Sequence, residues 1–192
     1  MATIRPFKAL RPKKELSDKI AALPYDVYNR EEAAKKVEND RYSFLRIDRP
    51  ETQFSKDQDM YAPEVYKKAA EMLEEMQKEG SFVQDAKACY YIYELTMDGR
   101  SQTGLVAASA VDDYINNVIR KHENTRKEKE ADRIRHVDTC NAQTGPIFLA
   151  YNSNPDVKKI LEGIKEEKAD VDFTADDGIR HRVWVIDNDS DI

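Results

Sequence analysis

A run of aromatic and apolar residues, Ala88-Cys89-Tyr90-Tyr91-Ile92-Tyr93-Glu94-Leu95-Thr96-Met97, is followed at once by Asp98-Gly99 and then by a second run over residues 103–111. Aromatic and β-branched residues are enriched in strands, and Asp-Gly suits tight turns whose backbone needs positive φ. The pattern therefore predicts a β-hairpin. Side chains alternate across a strand, and we expect the face with Tyr91, Tyr93, Leu95 and Met97 to meet the core.

The segments before the hairpin indicate further strands and helices. Residues 4–12 contain Pro6 and Pro12, which favours a short edge strand or an extended arm. Asn29 with Glu32 three residues later is a capping pattern, so a short helix is expected over residues 31–39. Residues 42–47 are expected to form a strand. Apolar residues at helical spacing predict a long helix over residues 62–78 that Gly80 ends, with core packing as its role.

The segments after the hairpin complete the predicted architecture. Residues 146–151 are expected to form a short buried strand, residues 156–168 an amphipathic helix, and residues 171–173 and 182–186 two further strands. This order is neither regular βαβ alternation nor two separate blocks of strands and helices. It predicts an α+β fold, in which helices pack on a mixed β-sheet that includes one β-hairpin. We expect residues 1–192 to form a single domain.

Composition restricts the class of protein. The 192 residues carry a net charge of −6, which argues against DNA or RNA as a partner, because phosphate neutralisation requires clustered positive charge. No run approaches the roughly 20 apolar residues of a membrane span, and the N-terminus lacks the apolar segment of a signal peptide. These features predict a cytoplasmic protein without a membrane partner. The two cysteines, Cys89 and Cys140, are expected to be reduced thiols.

The most chemically versatile segment is the charged stretch 119–133. Thr125 with Glu128 is a capping-box pattern that predicts a helix from Thr125 to about Val137. His122 and Glu123 would then precede a helix N-terminus, where unpaired N–H groups and a partial positive charge favour an anion. His122 is a candidate general acid or base, since its ordinary pKa lies close to neutral.

Two other interpretations of this segment stay open. One is a solvated surface helix. Its charged residues at positions 126/130, 128/132 and 132/136 are four apart, and exposed pairs at this spacing contribute little to stability. The other is a metal site, but the HExxH pairing and the cysteine and histidine spacings of zinc sites are absent, and no metal is assigned. P-loop, GxGxxG and GxSxG signatures are absent as well, and no cofactor is assigned. A second polar constellation, Pro24-Tyr25-Asp26, is either a turn or part of the site.

The sequence resembles the family called domain of unknown function 1015, an uncharacterised group of bacterial and archaeal proteins. The resemblance extends over nearly the whole chain, through residues 6–12, 24–27, 104–106, 113–114, 122–125, 129–133 and 145–149. It implies a longer protein, about twice this length, of which this chain is the N-terminal part. Family members carry a Gly-His-His-Arg segment in their second half, similar to one in ParB-like nucleotide-binding proteins, a fold group that includes kinases acting on free serine.

The resemblance favours a functional interpretation of the charged stretch. It implies a small-molecule phosphate-handling enzyme, or part of one, linked to serine or phosphoserine metabolism. The alternative is a non-catalytic module that binds a nucleotide or metabolite. The expected partner in both cases is a small anion such as a nucleotide or phosphoserine. The catalytic candidates are His122 and Glu123, and the ligand-binding candidates are Thr125, Arg126, Lys129, Asp132, Arg133, Tyr25 and Asp26.

Overall fold

Helices and strands are interleaved along the chain in a computed structural model that describes residues 2–122 and 124–187. The strands are β1 (Ile4–Arg5), β2 (Leu10–Pro12), β3 (Phe82–Gln84), β4 (Tyr90–Met97), β5 (Arg100–Val106), β6 (Ala108–Ser109), β7 (Val171–Thr174) and β8 (Arg180–Ile186). The helices are α1 (Ser17–Ile20), α2 (Arg30–Val37), α3 (Leu45–Asp48), α4 (Pro63–Lys78), α5 (Val111–Ile115), α6 (Lys127–Cys140) and α7 (Pro155–Lys165), with 3-10 turns at Lys14–Leu16 and Pro50–Gln53. The predicted α+β class is confirmed.

The chain divides into two compact units. Unit 1 comprises Met1–Asp18, Val83–Glu123 and Leu149–Ile192, and unit 2 comprises Lys19–Phe82 and Asn124–Phe148. Each unit is assembled from segments that are distant in sequence. The expectation of a single domain stays a prediction.

A four-stranded sheet with the order β5-β4-β8-β7 is the centre of unit 1, and its three strand pairs are antiparallel. The predicted hairpin is confirmed: β4 and β5 pair around a turn in which Asp98 has φ 50° and Gly99 has φ 75°. One face of the sheet packs against α7, and the buried core there comprises Ile92, Leu161, Ala169, Trp184 and Ile186. The Trp184 indole Nε1 donates to the Glu167 carbonyl at 3.0 Å.

The predicted facing of β4 is wrong. Ile92, on the face expected to be outside, is fully buried in the core, whereas Met97 on the other face is 58% exposed. Glu94 lies on the Ile92 face and is also buried, because Thr103, Lys165 and Arg182 all donate to its carboxylate. A charged residue in the strand made the core-facing side resemble a solvent-facing one. Tyr91 is buried for a different reason, since the Phe7 ring packs against it at 5.3 Å.

Unit 2 contains the long helix α4, which confirms the prediction for residues 62–78. Its buried face comprises Val65, Tyr66, Ala69, Met72, Leu73 and Met76, and Gly80 beyond its end has φ 78°. The predicted helix after Asn29 is confirmed as α2, and both hydrogen bonds of its capping box with Glu32 form. A small core of Ala33, Val37 and Leu45 joins α2 to α3, with Tyr28 packed against it.

Three predicted elements differ in the structure. Residues 42–47 are not a strand, since Leu45 and Ile47 lie in the short helix α3 and are buried there. Residues 146–151 form no strand, and their apolar side chains are exposed, with Phe148 at 78%. Helix α6 begins at Lys127, two residues later than predicted, with Arg126 as its N-cap and no capping side chain, so the predicted Thr125/Glu128 capping box is wrong.

The helices and the two cysteines were also compared with the sequence-based expectations. In the described part of the chain, no helix has the length and apolar character needed to cross a membrane. Cys89 and Cys140 are free thiols, as expected.

Candidate functional site

Helix α6 of unit 2 turns a polar face inward. Its two buried residues are Asp132, 9% exposed, and His136, 1% exposed, which lie one turn apart on the same side of the helix. A buried carboxylate or imidazole is costly unless it is hydrogen-bonded, so such a face requires specific partners. The interpretation of this helix as wholly solvated is therefore wrong at these two positions.

Asp132 is held at both carboxylate oxygens. The Tyr66 hydroxyl donates to Oδ1 at 2.8 Å, and Arg133 donates to Oδ2 through Nε at 3.2 Å and Nη2 at 2.9 Å. Burial and the hydrogen bond to Asp132 raise the pKa of Tyr66 to about 12, so the phenol stays a proton donor near neutral pH. Helix α4, predicted to serve only in core packing, therefore also supplies a polar group to this cluster.

Arg133 is fixed on a second side by an aromatic ring. Its guanidinium carbon lies 4.2 Å from the centre of the Tyr25 ring, within the range of a cation–π contact. The Arg133 side chain remains 29% exposed. The hydrogen bonds to Asp132 use Nε and Nη2 of the guanidinium, which leaves Nη1 available to donate to a further oxygen. Tyr25, Tyr66, Asp132 and Arg133 together are called the Arg133 cluster below.

The Tyr25 ring belongs to a turn that a buried ion pair holds in place. The Val27 N–H donates to the Pro24 carbonyl at 3.1 Å, which closes the turn. Arg49 Nη1 then donates to the carbonyls of Tyr25 at 2.9 Å and Tyr28 at 2.7 Å. Arg49 Nε in turn donates to Glu51 at 2.5 Å.

His136 extends the polar face toward the C-terminal end of α6. Its Nε2 lies 2.8 Å from the Ile47 carbonyl, which can only accept, so Nε2 carries a proton and donates it to this carbonyl. The Cys140 sulfur lies 4.0 Å from Nδ1. Burial and the nearby Asp48 charge raise the pKa of Cys140 to about 11, which keeps it a thiol and a poor nucleophile at neutral pH.

Asp48 is a titratable group that the sequence interpretation did not single out. Burial raises the pKa of its carboxyl group, while the His136 and Arg133 charges and a hydrogen bond with Thr144 act in the opposite direction. A carboxyl group whose pKa moves toward neutrality is a candidate proton carrier. Its only sequence signal is its position in the run Asp48-Arg49-Pro50-Glu51, which resembles an ordinary polar turn.

Comparison with known proteins identifies the family. A family model described as "Protein of unknown function (DUF1015)" matches residues 4–192. The chain belongs to the DUF1015 family. No curated protein and no solved structure matches it. The family resemblance inferred from the sequence motifs is thus confirmed.

The structure brings together three of the predicted ligand-binding residues of the DUF1015 chain, namely Tyr25, Asp132 and Arg133. Lys129 lies one turn before Arg133 on the same side of α6 and is half-buried. Thr125 and Arg126 are exposed at the start of the helix, where Arg126 pairs with Glu128 at 3.4 Å.

The remaining predicted site residues are Asp26, His122 and Glu123. Asp26 is exposed in the Tyr25 turn. His122 is exposed in an irregular segment of unit 1, and Glu123 lies outside the described residues. The catalytic roles of His122 and Glu123 and the ligand-binding role of Asp26 stay predictions.

The later start of α6 changes the geometry expected for an anion. Arg133 lies six residues after Lys127, which corresponds to about 9 Å along a helix axis. The helix start and the Arg133 backbone are therefore separated by more than one helical turn. Lys129 and Arg133 are only about 6 Å apart along the axis, and one phosphate can contact both. In the described part of the chain, no group of three or more metal-binding side chains is present.

Proposed function

We propose that this chain binds a small phosphate-bearing anion through Arg133, with Lys129 as a second cation. The observation that carries the proposal is the fixed position of Arg133 between the Tyr25 ring and the Asp132 carboxylate, while part of its guanidinium remains exposed. An arginine held in this way loses little side-chain entropy on binding, and its planar donor groups match phosphate oxygens.

The charges around the cluster limit the affinity for an anion. Asp132 neutralises part of the Arg133 charge, and Tyr66 reduces this effect because it donates to the other carboxylate oxygen. Glu128 and Glu130 occupy the first turn of α6 and already interact favourably with the helix dipole. These contacts favour the Lys129–Arg133 face over the helix start as the position of the anion.

The proposed activity is a phosphate-handling reaction on a small molecule, with serine, phosphoserine, ADP and ATP as the ligands to test. In this proposal His122 and Glu123 transfer protons, while Thr125 and Arg126 extend the binding surface toward the start of the helix. Tyr25 and Asp132 orient Arg133, and Asp26 flanks the Tyr25 turn.

A non-catalytic metabolite-binding module is the second candidate. The raised pKa values of Tyr66 and Cys140 favour it, because both groups keep their protons at neutral pH and neither is an activated nucleophile. The two candidates share the same ligand chemistry. They differ in whether product forms.

A pair of arginine substitutions on the 192-residue chain tests the binding proposal. Arg133→Gln should weaken the binding of inorganic phosphate, phosphoserine or a nucleotide about tenfold or more, since a hydrogen bond to a charged group contributes about 1.5–3 kcal/mol. Arg41→Gln is the matched control, because Arg41 is 64% exposed in an ion pair with Glu79 and takes no part in the proposed binding surface. Calorimetry or the ligand-dependent shift in melting temperature gives the affinities.

The outcomes separate the alternatives. Equal binding by wild type and Arg133→Gln would contradict the proposed site. Product from serine with ADP or ATP, lost in His122→Gln, would support the enzyme, whereas binding without product would support the module. If a nucleic acid binds instead, and its affinity falls steeply with salt, the small-molecule proposal is wrong.

A further inference from the structure

Arg49 and Glu51 form an ion pair in the interior of unit 2. Arg49 is 8% exposed and Glu51 is 3% exposed, and Nε donates to the Glu51 carboxylate at 2.5 Å. Removing two charges from water costs free energy that their mutual attraction often fails to offset. General stabilisation is therefore a weak explanation of the pair.

The other contacts of Arg49 give it a specific role. Nη1 donates to the Tyr25 carbonyl at 2.9 Å and to the Tyr28 carbonyl at 2.7 Å, 24 and 21 residues earlier in the chain. One guanidinium therefore joins an acidic side chain to two backbone groups of the turn that carries the Tyr25 ring. Lysine has one charged nitrogen on a flexible chain and cannot reproduce this fork.

The same contacts connect the buried pair to the Arg133 cluster. Glu51 orients Arg49, Arg49 fixes the Tyr25 backbone, and the Tyr25 ring lies 4.2 Å from the Arg133 guanidinium. Arg133 has its second fixed contact through Asp132. Any displacement of the turn at residues 24–28 would leave Arg133 oriented by Asp132 alone.

We propose that Arg49 and Glu51 are positioning residues, which hold the Tyr25 ring against Arg133 and so set the direction in which Arg133 presents its free donor group. The anion-binding part of this inference rests on the proposed function, whereas the positioning of Arg133 does not. Neither residue contacts the anion.

A ligand-independent measurement tests the positioning. Protons above an aromatic face resonate upfield, so the Arg133 side-chain Nε–H signal, assigned by its loss in Arg133→Gln, should be shifted upfield in the wild type. Tyr25→Ala should abolish this shift and Arg49→Lys should remove most of it. Met76→Ala, which truncates a core side chain on α4, is the control for lost stability. This variant should keep the upfield shift of the Arg133 Nε–H signal.

A wild-type shift in Arg49→Lys would overturn the proposal. If Arg49→Lys does not fold, Glu51→Gln replaces it, because glutamine keeps the size of the side chain and removes the charge that orients the guanidinium. A partial loss of the shift in Glu51→Gln is then expected, and an unchanged shift overturns the proposal.

The ligand-dependent measurement is a double-mutant cycle with inorganic phosphate as the probe. Tyr25→Ala and Arg49→Lys should each weaken phosphate binding about tenfold, and the double variant should bind no more weakly than Tyr25→Ala, because Arg49 acts through Tyr25. Additive losses would overturn the proposal. If the wild type does not bind phosphate, the proposed function fails at this site, and the Nε–H shift alone decides whether Arg49 positions Arg133.

Discussion

Glu94 shows how one buried charge is stabilised in unit 1. Its carboxylate lies in the centre of the four-stranded sheet, where it accepts hydrogen bonds from Thr103 at 2.9 Å, Lys165 at 2.8 Å and Arg182. Burial by itself would raise the pKa of Glu94, but these hydrogen bonds outweigh it and hold the pKa below its ordinary value. The ionised form is therefore part of the folded structure.

We expect Glu94→Gln to lower the free energy of unfolding by about 3 kcal/mol at pH 7, because Lys165 and Arg182 would lose a buried partner. Since the folded pKa of Glu94 lies below the unfolded pKa, its stabilisation is complete above the unfolded pKa of about 4.3 and is lost as pH falls through the folded pKa. The difference between wild type and variant should therefore shrink in acid. Urea unfolding at pH 7, 5 and 3 measures it.

Glu74→Gln is the control for this experiment. Glu74 forms an exposed ion pair with Lys78 on α4, and such pairs contribute little. A Glu94→Gln variant as stable at pH 7 as Glu74→Gln would show that the buried ion-pair network does not stabilise the fold.

The sequence predicted those elements whose signals are local. The 16 residues of α4 contain enough helical turns to define an apolar face, and Asp98-Gly99 specifies the hairpin turn by its backbone preference. The same reasoning placed α2 correctly, because its capping box depends on residues only three positions apart.

Elements that depend on distant partners could not be predicted in this way. Residues 42–47 have the composition of a strand, but Leu45 packs with α2 in a helix. Residues 146–151 resemble a buried strand, yet in the structure they pair with no strand among the described residues. A short apolar run such as residues 42–47 fits either a helix or a strand, and tertiary context decides between them. Residues 146–151 form neither.

The candidate site was predictable for the residues on α6 and in the Tyr25 turn, because they stand out as charged or turn-forming motifs. Its supporting residues were not. Tyr66 contacts Asp132 across 66 positions, and Arg49 contacts Tyr25 across 24. Tyr66 follows the periodicity of a core helix, so no local pattern distinguishes it from a packing residue.

The capping box of α2 permits a direct test of element stability. Asn29 accepts from the Glu32 N–H at 3.0 Å, and Glu32 accepts from the Asn29 N–H at 2.9 Å. Asn29→Ala should lower the free energy of unfolding by about 1 kcal/mol, because it leaves a first-turn donor without its acceptor. Glu31→Ala is the matched control, since Glu31 is 79% exposed in its ion pair with Lys56. Equal urea midpoints for the two variants would contradict the role of the cap.

At the scale of the whole molecule, the family match covers both compact units of the chain. The match to the DUF1015 family extends over residues 4–192 and therefore includes all segments of the two units that carry described helices and strands. The Arg133 cluster belongs entirely to unit 2, whereas the buried Glu94 network belongs to unit 1. Substitutions in the two regions therefore probe different cores.

The single tryptophan of the chain, Trp184, is buried in the core of unit 1, where its indole N–H is hydrogen-bonded. Its fluorescence emission therefore reports on one unit, whereas the far-ultraviolet circular dichroism signal is weighted toward unit 2, which contains the two longest helices, α4 and α6. If the chain is one cooperative domain, as its sequence predicts, the two optical signals will follow the same urea transition. Separate midpoints would mean that the two units unfold independently. The position of one indole ring thus makes the cooperativity of the chain measurable without an added label.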